Sequence, residues 1–118
     1  MLEAGLFAVL FWMLVGHALG DFALQTEWMV HGKSPGARPL RALAGRDELV
    51  WAHVLTAHCL IHGGAVALAT GSVLLGVAET VAHWIIDFGK CRRWYGFHVD
   101  QFLHLGCKLV WAACWLAL

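Results

Sequence analysis

The sequence predicts an all-α protein, an integral membrane bundle of four transmembrane helices with both termini outside. Three observations carry that expectation. Of 118 residues, 60% are hydrophobic and only 14% are charged. The apolar residues fall into four runs at 6–24, 49–69, 73–89 and 99–118. Lysine and arginine concentrate between those runs. Soluble domains are roughly a quarter charged, and a chain this short cannot hide so much apolar surface in its own core. The mean hydropathy of +0.68 agrees with the membrane class. The formal net charge is zero, which leaves no electrostatic footprint for a nucleic-acid partner.

The first run, 6–24, is long enough to cross a bilayer, which takes about 20 mostly apolar residues. Ala18-Leu19-Gly20 resembles a signal-peptide cleavage site, but the start lacks a positive region, so the run reads as a retained helix. A polar loop is expected at 25–48, and its core, His31-Gly-Lys-Ser-Pro-Gly-Ala-Arg-Pro, is interrupted by proline and glycine. Between Glu48 and Glu79 the chain has no Asp, Glu, Lys or Arg. That stretch exceeds one span, and Thr70-Gly71-Ser72 near its middle predicts a tight helical hairpin with arms at 49–69 and 73–89. The run 99–118 supplies the fourth helix. The whole chain, 1–118, reads as one transmembrane helical domain.

Lys33, Arg38, Arg41 and Arg46 lie in the first loop, and Lys90, Arg92 and Arg93 in the third. Four spans place those loops on one side, and the positive-inside rule makes that side cytoplasmic. Lys108 is the exception, and its long side chain is expected to reach toward the interface. The four cysteines, Cys59, Cys91, Cys107 and Cys114, form no C-x-x-C pair and suggest neither a disulfide framework nor a zinc knuckle.

Inside the apolar runs lie ionisable residues at helical spacing. His17, Asp21 and Gln25 are four apart, as are Glu79, His83 and Asp87. Asp100 and His104 repeat the interval, with Gln101 beside them, and His58 and His62 form an H-x-x-x-H pair. Residues four apart share one helix face. Near a bilayer centre such groups cost several kcal/mol unless paired or wetted, roughly 3 kcal/mol each on insertion scales. The predicted topology brings all these groups near the cytoplasmic ends of their helices, with His62 deepest, roughly 20 Å below Leu49 at 1.5 Å per residue. His53 falls on another face, and His31 and His98 read as solvated.

Inward-facing His and carboxylate pairs are how helical bundles build metal sites. Mixed ligands of this kind suit a divalent transition metal, Zn, Mn or Fe. The ligand candidates are His17, Asp21, His58, His83, Asp87, Asp100 and His104, with Glu79 as general base and Gln25, His62, Lys90 and Gln101 as further polar members. The same groups could relay protons, or simply hold helices together by hydrogen bonds. There is no G-x-S-x-G elbow, H-E-x-x-H, Walker loop or dinucleotide fingerprint.

With His17-x-x-x-Asp21-Phe22-x-x-Gln25-Thr26, Lys33, His58-x-x-x-His62, His83-x-x-Ile86-Asp87-x-x-Lys90 and Asp100-Gln101-x-x-His104, the chain resembles the small bacterial and phage membrane proteins grouped as domain of unknown function 3307. The resemblance covers nearly the whole chain. It implies a multi-span protein of the bacterial inner (cytoplasmic) membrane and no particular activity. A Pro/Gly-rich insertion between Lys33 and His58 departs from the pattern. There is also a loose likeness to small membrane proteins described as metal-dependent hydrolases. The leading expectation is therefore a metal-dependent hydrolase acting on a lipid or lipid-linked substrate. The alternatives are a cation or proton transport subunit, which would need homo-oligomers, and a structural membrane protein.

Overall fold

A computed structural model of the chain describes residues 2–35 and 50–118. Helix α1 spans Leu2–Ala18 and continues into a π-helical turn at Leu19–Ala23. A short helix α2 follows at Glu27–Gly32, then α3 at Val50–Thr70, α4 at Val73–Cys91 and α5 at Phe97–Ala117. No strand occurs among the described residues. The expected all-α class and the four long helices are present, each within a few residues of its expected limits. The expected loop at 25–48 is not wholly irregular. Thr26 caps α2 by accepting a hydrogen bond from the Met29 amide at 3.1 Å, which lets Glu27–Gly32 wind before the prolines arrive. Arg38, Arg41, Arg46 and residue 49 lie outside the described residues.

The long helices pack in a ring, α1 on α3, α3 on α4, α4 on α5 and α5 back on α1, while α2 rests on α3. The α3–α4 hairpin is the closest pairing. Its α4 arm starts at Ser72, whose hydroxyl accepts from the Leu75 amide. Gly63 and Gly76 face each other there, and a Cβ on Gly63 would lie 2.6 Å from the Gly76 carbonyl oxygen and 1.9 Å from Thr80 Oγ1. Only hydrogen at these positions permits that approach.

The bundle has two halves. At one end Val9, Met13, Val66, Leu75 and Ala112 form an apolar core. The other end, where α1 and α4 finish and α3 and α5 begin, is polar inside. Among the described residues, eleven buried polar or charged side chains outnumber eight buried hydrophobic ones. The outer surface is the reverse, with Phe7, Leu68, Ile85, Phe102 and Leu109 all exposed.

By length and composition, two helices qualify as membrane spans, at Gly5–Ala23 and Val50–Thr70, where the sequence predicted four. The other two long helices fall short because α4 carries Glu79, His83, Asp87 and Lys90, and α5 carries Asp100, His104 and Lys108. Those side chains turn inward, so composition and surface disagree for these two helices.

Candidate functional site

The polar end of the bundle is assembled from helical stripes. On α1, the π turn closes with Leu24 N donating to Leu19 O at 2.7 Å, and such widened turns recur at functional sites. It carries Asp21 inward beside His17, whose Nε2 is 3.4 Å from Asp21 Oδ2. Gly20 precedes it, and a Cβ there would lie 2.5 Å from His62 Nε2. Glycine thus lets the α3 imidazole reach α1.

Four donor atoms from three elements converge: Asp21 Oδ1, His58 Nε2, His62 Nε2 and His83 Nε2 all lie within 4.8 Å of one another. The separations are 2.9 Å for His62–Asp21, 3.3 Å for His58–His83, 3.4 Å for His58–Asp21 and 3.9 Å for His83–Asp21. His62 Nε2 and Asp21 Oδ1 are close, yet their alignment makes no hydrogen bond and neither atom has another partner among the described residues. The other two atoms, His58 Nε2 and His83 Nε2, lie within hydrogen-bond reach of each other. A tetrahedral centre with bonds of about 2.0–2.1 Å sets its ligands about 3.3 Å apart, so the quartet fits a small cation. Two further groups, His83–Asp87–His104 and Asp21–Asp100–His104, meet the same spacing.

Behind the quartet stands an outer layer. His83 Nδ1 lies 3.1 Å from Glu79 Oε1, and Glu79 also accepts from Lys108 Nζ at 2.5 Å and from Trp111 Nε1 at 2.6 Å. Glu79, the candidate general base from sequence, has both oxygens engaged. Its position behind a histidine is that of a carboxylate that fixes ring orientation and tautomer. His104 Nε2 sits between Asp87 Oδ1 at 3.1 Å and Asp100 Oδ1 at 3.3 Å. The Gln101 amide donates to Asp21 Oδ2 at 2.9 Å and Asp100 Oδ2 at 3.2 Å, and its oxygen is 3.0 Å from His17 Nε2. Lys33 donates to Asp87 Oδ2 and to Gln25 Oε1, both at 2.6 Å. Lys90 lies 3.4 Å from Asp100 Oδ2.

Every residue singled out for the site is thus part of one connected network. Two change place within it. His17, expected as a ligand, falls outside all three donor groups, because its Nε2 faces Gln101 and Asp21. His62, expected only as a further polar member, belongs to the quartet. His31, His53 and His98 are exposed, as expected.

Three members escaped sequence reasoning. Lys108, expected to reach for the interface, is 2% exposed and paired with Glu79. Its place four residues after His104 and eight after Asp100 was the available signal, since it puts all three on one stripe. Trp111 continues that stripe. Lys33, counted toward topology and quoted in the family motif but not as a site residue, is buried against Asp87, and nothing in helical phase foretold that.

The family described as "Protein of unknown function (DUF3307)" matches residues 9–117, which span every residue of the network. The chain belongs to that family. No curated protein and no solved structure gives a significant match. The quartet and its outer layer in this DUF3307 protein are accordingly read from geometry alone. Among the described residues, the carboxylates Asp21, Glu79, Asp87 and Asp100 outnumber the three lysines that face them, Lys33, Lys90 and Lys108. Surplus negative charge in a desolvated site calls for a cation or for protonated imidazole.

Outside the helices, Tyr95 closes the polar end by donating its hydroxyl to the Ile86 carbonyl oxygen. Burial holds its phenol above the ordinary tyrosine range, which keeps the donor protonated.

Proposed function

We propose that this protein crosses the bacterial inner membrane four times, with both termini outside, and holds a divalent transition metal near its cytoplasmic end. The metal serves hydrolysis of a lipid or lipid-linked substrate. The observation that carries the reading is the quartet Asp21, His58, His62 and His83, whose donor atoms all lie within 4.8 Å of one another, four of the six separations being 2.9–3.9 Å, around the edge of a tetrahedral site.

The four-span topology is supported by the surface of the two charged helices. Val77, Val81 and Ile85 of α4, and Phe102, Leu109 and Val110 of α5, are exposed, while Glu79, His83, Asp87, Asp100, His104 and Lys108 are buried. An apolar exterior over a polar interior suits lipid as solvent. At 19 and 21 residues, these helices match a hydrocarbon core of about 30 Å.

A cation held by Asp21, His58, His62 and His83 would supply Lewis-acid chemistry to a substrate oxygen, which would have to enter as a further ligand because side chains fill all four positions. The chain's own groups do the rest. Glu79 orients His83. Gln101 clamps Asp21 and Asp100. His104, flanked by two carboxylates, is the imidazole suited to carry a proton between water and a leaving group.

Elemental analysis of detergent-purified protein tests the proposal. The wild type is expected to carry stoichiometric transition metal, His62→Ala and Asp21→Ala to lose it, and His17→Ala to retain it. A folded wild type without metal that also fails to take it up by titration overturns the metal centre and the hydrolytic reading with it.

A further inference from the structure

At the loop end of the bundle, a cavity of about 200 Å³ opens beside the polar network. Its walls include Gln25, Lys33, Ser34, Lys90, Cys91 and Arg93. Among the described residues, no carboxylate lines it. Lys33 forms its floor and donates onward to Asp87 Oδ2 at 2.6 Å, so the cavity lies one hydrogen bond from the His83–Asp87–His104 group.

Arg93 makes this cavity more than a patch of topology charge. Helix α4 ends in a Schellman motif, with Trp94 N donating to Gly89 O at 3.0 Å and Arg93 N to Lys90 O at 2.9 Å. Arg93 fills the left-handed position of that motif, with φ 60°. Glycine is the residue this conformation favours. It is the one non-glycine residue with positive φ among those described. An arginine held there against the backbone's preference brings a planar, five-donor cation to the wall of a cavity already lined by two lysines. Guanidinium and ammonium groups around a small polar concavity match the tetrahedral oxygens of a phosphoryl group.

We propose that this cavity seats a phosphate group, held by Lys33, Lys90 and Arg93, with the Gln25 amide and Ser34 hydroxyl as neutral partners. The phosphate belongs to a lipid headgroup or to a phosphate in solution. Its use as the recognition site for a hydrolytic substrate rests on the metal reading above, but phosphate binding itself does not. Lys33 is the link, because it touches both the cavity and Asp87.

The Schellman geometry supplies a clean test. Arg93→Gly removes the guanidinium while relieving the backbone, so the variant is expected to melt no lower than wild type. Binding of inorganic phosphate is measured by calorimetry on full-length, chelator-stripped protein in a sugar detergent. Lipid binding is measured with nanodiscs of phosphatidic acid against nanodiscs of phosphatidylcholine. The expected result is phosphate or phosphatidic acid binding in wild type that weakens about tenfold or more in Arg93→Gly, the scale of a lost charge-assisted contact. Arg93→Lys is expected to recover part of it. Response to free phosphate assigns a soluble source, and response to phosphatidic acid alone assigns a headgroup. No binding of either, or equal binding by Arg93→Gly, overturns the proposal. Binding that vanishes on metal removal and ignores Arg93→Gly would put the phosphate on the metal instead, sparing the metal reading and refuting this one.

Discussion

Replacing Glu79 by glutamine isolates one of two buried lysine–carboxylate pairs among the described residues. Glu79 is 1% exposed and Lys108 is 2% exposed, with Lys108 Nζ 2.5 Å from Oε1. The same carboxylate receives His83 Nδ1 at 3.1 Å and Trp111 Nε1 at 2.6 Å. Glutamine keeps the shape but offers one acceptor oxygen in place of two. It also turns an amide N–H₂ toward a donor and leaves the ammonium without its counter-charge. Removing one partner of a buried pair costs about 3–5 kcal/mol. Lys108→Met leaves Glu79 with two of its three donors, so its cost should sit at the lower end of that range. The double variant Glu79→Gln/Lys108→Met removes both charges together and should cost less than the sum of the singles by about 2 kcal/mol or more. Equilibrium unfolding in mixed micelles reads this directly, with tryptophan fluorescence as the signal. Additivity within about 0.5 kcal/mol would refute the argument, because it would mean that water reaches the pair and screens it.

Three further outcomes follow from the geometry. Gly20→Ala puts a methyl 2.5 Å from His62 Nε2; it should weaken metal affinity by about 10- to 100-fold, the scale of disturbed ligand orientation. Unchanged affinity by metal titration would remove His62 from the ligand set. Gly63→Val forces side-chain carbon into the Gly76 carbonyl and Thr80, and should lower unfolding stability by about 1–3 kcal/mol or more; an unchanged midpoint would show that the α3–α4 crossing is looser than described. His53→Ala and His98→Ala change exposed residues, and should leave metal content unaltered and stability within about 0.5 kcal/mol; loss of metal in either would point to a site elsewhere.

Much of the candidate site was legible because it obeys one rule, the four-residue helical repeat. His17 and Asp21, His58 and His62, Glu79, His83 and Asp87, and Asp100 and His104 each declared a shared face. Reading Lys108 as an interfacial lysine neglected that same rule, since its stripe already pointed inward. The ranking of ligands was a different matter. Whether His17 or His62 joins the quartet depends on the π turn at Leu19–Ala23 and on the missing side chain of Gly20. Both are local details whose consequence appears only when α3 packs on α1. Glu79 likewise carried no mark of being engaged on both oxygens, because its partners lie 29 and 32 residues away.

By itself the sequence determined the helical class, the four long helices, the hairpin at Thr70–Ser72 and the polar stripes, because apolar run length and helical phase are properties of neighbouring residues. The family follows from sequence as well, over residues 9–117. Only the tertiary structure decided which nitrogen meets which oxygen, that Lys33 closes on Asp87, and that Arg93 faces a cavity. Those outcomes depend on distances between helices and on the turn that ends α4. Packing sets them, and a linear pattern does not encode packing distances.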